Sequence, residues 1–321
     1  MKYVLKRIGM SAATLLLVSI IVFIMFQIVP GDVVTAKLGT DITQERAEAL
    51  RNEYGLNDPL LVQYFNWIRG ICTGNLGISY SKDIPVGDLL LNNLVVTVSL
   101  AFMSLILIIV FAVPVGFWSG YISGKNTKSA KLFDSIFDGV NQTFMAVPSF
   151  FIGILISVFF GIVLKWFAPG KYVSYSENIM DFILYLIPAA ISVAIPKIAM
   201  LVRFVKTSVV GELNKDYVRT AKSKGMSDIA ILIHHVFKNS IITSVTALSV
   251  IMAEIFAGSV VVEQVFNLPG LGRLLISSIG TRDYPVVMDI VMYIAIMIIT
   301  VNLIVDIIYR LTDPRIGASY E

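Results

Sequence analysis

The chain reads as an all-α integral membrane protein with six transmembrane helices and a polar segment between the first two. Three observations predict this. Of its 321 residues 56% are hydrophobic and 15% charged, with a mean hydropathy of +0.81, whereas a soluble domain carries about 25% charged residues. The apolar residues fall in long uncharged runs, and about 20 such residues cross the hydrocarbon as a helix. Lysine and arginine favour alternate loops, as membrane topology requires. Net charge is only +3, which gives no reason to expect a nucleic-acid partner. The single cysteine, Cys72, excludes an intrachain disulfide and a Cys-rich metal site.

Met1 to Arg7 carries Lys2, Lys6 and Arg7, and Ile8 to Val29 carries no charge. A cleaved signal would have a shorter apolar core, so this run is expected to stay as the first span. Residues 30–93 are polar. Gln44 to Tyr54 is helix-like, with Asp41 as a possible cap and Gly55 as a stop, and Pro59 to Ile71 fits a second amphipathic helix. With both ends anchored by spans, this segment should pack as a small cap on the outer face.

Leu94 to Ile122 is the second span. Gly116, Gly120 and Gly124 recur every four residues, line one helix face, and allow close helix packing. The run Gly120 to Asn126 is one residue short of a phosphate loop and has Asn where a magnesium-binding hydroxyl would stand. ATP binding by this chain is therefore not expected. Lys125 to Asp138 reads as a basic loop, Val140 to Leu164 as the third span with Pro148 inside it, and Lys165 to Asp181 as a short outer loop. Phe182 to Val205 is the fourth span, interrupted by Pro188 and Pro196. A membrane tolerates proline mainly where the helix is packed or lines a cavity.

Lys206 to Lys238 is a long basic segment, Ser240 to Val262 the fifth span, Glu263 to Pro285 an outer loop, and Val286 to Tyr309 the sixth span. Of the 25 lysines and arginines, 15 fall on the side of the N-terminus and 9 on the other, with Lys197 inside a span. That asymmetry favours cytoplasmic N- and C-termini. The resulting divisions are 1–29, 30–93, 94–310 with a cytoplasmic loop near 206–238, and 311–321.

The basic segment holds Asp216-Tyr-Val-Arg-Thr-Ala-Lys-Ser-Lys-Gly225-Met226. Tyr217, Val218 and Ala221 share one helical face, Arg219, Lys222 and Lys224 lie elsewhere, and Gly225 can adopt the positive φ that closes a helix. Ile229, Leu232, Ile233, Val236 and Phe237 follow a helical period into span five. Charge alone fits a basic loop on anionic lipid equally well. The spacing of Ala221 to Gly225, followed by His235-Val-Phe-Lys-Asn239, separates the two.

Those residues resemble the coupling-loop signature of ABC importer permeases of the oligopeptide, dipeptide and nickel class. Pro30-Gly-Asp32, Tyr54 to Pro59, Gly74-Asn-Leu-Gly77, Glu263 to Arg273, Arg282 to Pro285 and Asp313-Pro-Arg315 resemble the first-permease subunit in the same order. The outer-loop motif centres on Glu263, Pro269, Gly270, Gly272, Arg273 and Asp283. Two departures stand out: Arg219-Thr220-Ala221 where the general motif begins Glu-Ala-Ala, and Asn75 where an acid is common. The resemblance implies a type I importer permease fold in the cell inner membrane. It implies a second permease, two cytoplasmic ATPase subunits that bind ATP and magnesium, an external substrate-binding protein, and surrounding membrane lipid. Tyr217 to Met226, together with His235, would meet an ATPase. No catalytic residue and no metal are implied for this chain.

Glu254 and Lys197 fall within spans, where a charge is costly. They are expected to face the pathway or the subunit interface, or to form a structural pair, and Pro188 and Pro196 are grouped with them. Asp289 and Asp306 near the ends of span six carry less weight. His234 and His235 are adjacent and poor joint ligands. Small peptides are the expected cargo. Nickel, chelated metal or glutathione within the same family, an ion-coupled secondary transporter, and a non-transporting scaffold stand as alternatives.

Overall fold

A computed structural model describes residues 2–28, 43–125 and 127–312. It divides into two compact units, Met1–Thr97 with Pro269–Ile299, and Val98–Leu268 with Thr300–Glu321. Five helices are long and apolar enough to cross a membrane, and a bent pair supplies a sixth crossing if it counts as one span.

The first unit holds α1 (Lys2–Ile28), α2 (Gln44–Glu53), α3 (Leu60–Thr73), the start of α4 (Val86–Ser123), α11 (Leu271–Gly280) and most of α12 (Tyr284–Thr312). Gly55 and Gly74 take positive φ just beyond α2 and α3, as left-handed helix ends do. One core joins Val86 and Leu90 to Leu271, Leu274, Val286 and Ile290. A second packs Val22 and Phe23 of α1 against Met288, with Tyr64 and Trp67 of α3 beside them. Asp41, Pro30 to Asp32 and Asp313 to Arg315 lie outside the described residues.

The second unit continues α4 and adds α5 (Lys128–Ala146), α6 (Ser149–Ile156), α7 (Ile179–Leu213), α8 (Asp216–Ser223), α9 (Asp228–Ile231) and α10 (Phe237–Val265). A Cβ on Gly116, Gly120 or Gly124 would sit 2.7 Å from Val205, 2.8 Å from Val209 or 2.6 Å from Leu213. The glycine face therefore lets α4 lie against α7 at a separation that no larger residue permits. Tyr185 ties the unit's loops together: its hydroxyl accepts from Gly170 N at 2.7 Å and donates to Phe266 O at 2.9 Å.

Four expectations need correction. The basic loop at 125–138 is mostly helix, because Thr127 caps Ala130 N at 3.2 Å and no proline follows before Pro148. The third span is not one helix. Val147 is extended, as a residue before proline prefers, and α5 turns by 89° into Ser149–Val163, whose last seven residues are π-helical. Pro188 and Pro196 do not interrupt α7, which runs unbroken to Leu213; Ala189, Ala190 and Ala194 are buried around them, so packing holds the helix where hydrogen bonds are lost. The amphipathic stripe after α8 also shifts: Ile231, Leu232 and Val236 are buried, while Ile229 and Ile233 are exposed. The π-helical turn Leu232–Val236 inserts extra residues per turn and moves the buried register.

Candidate functional site

The polar surface between α7 and α10 is built around α8. Lys215 precedes it in extended conformation, and Asp216 opens its first turn, where a carboxylate suits the helix dipole. Val218 and Ala221 are buried, while Arg219, Lys222 and Lys224 point to solvent. The helix closes in a Schellman arrangement. Gly225 N donates to Lys222 O at 2.9 Å, Met226 N to Ala221 O at 3.2 Å, and Gly225 sits at φ +80°. Nothing lies within 4 Å of a Cβ on Gly225, so its requirement for glycine is conformational rather than steric.

Glu212, in the last turn of α7, fixes the start of α8. Tyr217 donates to its Oε2 at 2.7 Å and Lys215 to its Oε1 at 2.6 Å. Burial raises the Tyr217 phenol above its ordinary value, and the neighbouring Glu212 pushes the same way. The Tyr217 ring lies 6.4 Å from that of His235. Lys222 reaches across the turn to Asp228 at 3.1 Å. Glu212 passes unremarked in the sequence, because a glutamate ending an apolar helix looks like ordinary solvation.

Above this surface, Lys206 is buried between Asp134 and Asp138, each at 2.5 Å, and Ser123 donates to Asp134. In the sequence these charges belong to two basic segments, and only the helical register of α5 and α7 joins them. Deeper in the span, Lys197 donates to Glu254, with the carboxylate the more open partner. Pro188 and Pro196 lie on the same helix as Lys197.

The outer-loop residues are divided between units. Glu263 is buried near the end of α10, and its carbonyl accepts from Leu268 N at 2.8 Å. Pro269, Gly270, Gly272, Arg273 and Asp283 belong to the first unit, where Gly270 precedes α11 and Leu271 N donates to Thr97 Oγ1 at 2.8 Å. Asp283 is 1% exposed. It accepts from Ser79 Oγ at 2.5 Å, Tyr80 N at 3.0 Å, Ser81 N at 3.2 Å and Ser81 Oγ at 2.7 Å. The last and first unit-one segments are thus pinned together through one carboxylate. Asp289 also departs from expectation. It is 0% exposed, accepts from Trp67 Nε1 at 2.8 Å, and its second oxygen has no partner among the described residues. No group of three His, Cys, Asp or Glu suited to a metal occurs among the described residues.

Residues 112–318 match the family described as binding-protein-dependent transport system inner membrane component, and residues 1–101 match the N-terminal part of such membrane components. The chain belongs to this family. It is 34% identical over 314 residues to a protein of Sinorhizobium fredii named "Probable peptide ABC transporter permease protein y4tP", covering 98% of each chain. It is 34% identical to the oligopeptide transport system permease protein AppB of Bacillus subtilis, again over 98% of each. The dipeptide transport system permease protein DppB of Lactococcus lactis is 32% identical over 98% of this chain and 99% of its own. The chain is therefore a multi-pass inner-membrane transport subunit of the type I importer permease fold, and not an enzyme.

Proposed function

We propose that this chain imports peptides as one of two permeases in an ABC importer. A second, similar permease completes the pathway, two cytoplasmic ATPases bind and hydrolyse ATP with magnesium, and an external binding protein delivers the cargo. The peptide reading draws on the named relatives. Both termini lie in the cytoplasm. Helix α8 is the docking element, with Arg219, Lys222, Lys224 and the exposed Ile229 and Ile233 offered to an ATPase. Lys197 and Glu254 face the pathway, where the half-open carboxylate meets passing cargo.

The observation that carries this is the closed end of α8: a short helix with a buried Val218–Ala221 face, clamped at both ends, suits the transfer of force. Substitution Gly225→Val tests it. A β-branched residue at φ +80° costs about 1–2 kcal/mol, and nothing nearby is displaced. In proteoliposomes holding the whole complex, ATP hydrolysis should persist while peptide uptake falls at least tenfold. Gly225→Asn, which tolerates this φ, should restore most uptake. Normal coupled uptake by the valine variant would defeat the assignment. Orientation has its own measurement: Cys72, exposed in the last turn of α3, should react with a membrane-impermeant maleimide from outside intact cells.

A further inference from the structure

The first unit contains a half-open cavity of about 670 Å3. Six aromatic rings line it, those of Phe23, Phe26, Tyr54, Trp67, Tyr80 and Tyr284. Glu53 and Asp58 stand at its wall, and no lysine or arginine is among the described residues that line it. Phe23 and Phe26 belong to the last turns of the apolar helix α1, and Tyr284 begins the apolar helix α12. The cavity therefore sits where two spans reach the edge of the hydrocarbon, at the level of lipid headgroups.

Helix α3 supplies one wall through Leu60, Gln63, Trp67 and Gly70. Its opposite side presents Leu61 and Phe65, 72% and 66% exposed. Large apolar side chains on one face of a short helix, beside the ends of two spans, suit a helix lying in the membrane interface. The rings and carboxylates together suit a cation. An ammonium is attracted to aromatic faces and to Glu53 and Asp58, whereas a purely anionic headgroup would meet two like charges with no lysine or arginine in the described lining.

We propose that this cavity seats the amine of a zwitterionic lipid headgroup of the ethanolamine or choline type, while Leu61 and Phe65, on the far side of α3, lie against the acyl chains of neighbouring lipids. The lipid occupies the outer leaflet, a placement that rests on the orientation given above. Such a lipid would brace α1, α3 and α12 as one support for the outer polar segment.

The test uses the whole complex in liposomes doped with a photoreactive phosphatidylethanolamine or with a photoreactive phosphatidylglycerol. The ethanolamine probe should label the 53–70 region at least threefold more than the glycerol probe, and the E53Q/D58N variant should bring that ratio to about one. Equal labelling of the wild type by both probes overturns the proposal without any variant. So does a preference that survives E53Q/D58N, or an L61S/F65S variant that sheds the second permease while keeping its lipid label. A wrong orientation shows itself separately, as a Cys72 that impermeant maleimide reaches only from the inner side.

Discussion

Each unit holds one polar segment in place with one buried carboxylate, and the two arrangements differ in kind. Asp283 takes two backbone N–H groups and two serine hydroxyls across more than 200 residues of sequence. Glu212 takes only side chains, Tyr217 and Lys215, from within five residues, and Lys215 is itself mostly exposed. Bonds to backbone fix a segment's path, whereas bonds from long side chains let it swing while staying tethered. The outer segment is built as a fixed part and α8 as a jointed one. On the function proposed above, that is the difference expected between a cap and an element that passes on motion.

The largest effect should come from breaking the outer clamp. Asp283→Ala leaves the buried Ser79 hydroxyl and the half-buried Tyr80 N–H without their acceptor, and at about 1–3 kcal/mol for a buried donor a loss of about 2–3 kcal/mol is expected. The complex should melt at clearly lower temperature, the 74–85 segment should become protease-sensitive, and uptake should collapse. Asp283→Asn keeps acceptor oxygen and should fall between. An unchanged melting point for the alanine variant would remove the distinction drawn between the two carboxylates.

The same contrast explains what the sequence makes legible. The α8 region is readable because its determinants are local: the apolar spacing of Val218 and Ala221, the stop at Gly225, and a motif of about ten residues. Five of the spans are readable because hydrocarbon imposes length and apolarity on each run separately. The Asp283 clamp and the Trp67–Asp289 bond are not, since their partners stand more than 200 residues apart and only the packed unit brings them together. Lys206 with Asp134 and Asp138 is hidden for another reason: α5 reads as a loop, so its two carboxylates have no face to share. The 89° break at Pro148 is half legible. Proline marks the place, but whether a helix bends or continues depends on its neighbours, as the unbroken α7 shows at Pro188 and Pro196.

At α8 a smaller and more selective effect is expected. Glu212→Ala removes the acceptor of Tyr217 and Lys215. Because α8 keeps its buried face and its Schellman close, the complex should still assemble and hydrolyse ATP. Uptake per ATP should fall about three- to tenfold, the range of one or two modest hydrogen bonds. Glu212→Gln, which preserves an acceptor for the tyrosine, should stay within about twofold, since an ion pair to an exposed lysine contributes about 1 kcal/mol or less. If both variants lose assembly together, Glu212 is a static support like Asp283 and the comparison fails.

The finest test uses pH on the outer clamp. Burial, then Tyr54 and then Asp283 raise the Tyr80 phenol from 10.0 to about 12, and its ring stacks on Tyr54 at 4.2 Å. An acid whose folded value is raised holds its proton longer folded than unfolded. Its contribution to stability is therefore complete below pH 10 and declines as pH rises toward 12. Tyrosinate absorbance of the intact complex should show a late-titrating component that Tyr80→Phe reduces by one phenol. The same variant should flatten the loss of stability across that window while leaving the neutral-pH melting point within a few degrees. A Tyr80 that titrates with the exposed tyrosines would mean that the clamp admits water. The segment at 79–81 would then be no more fixed in place than α8.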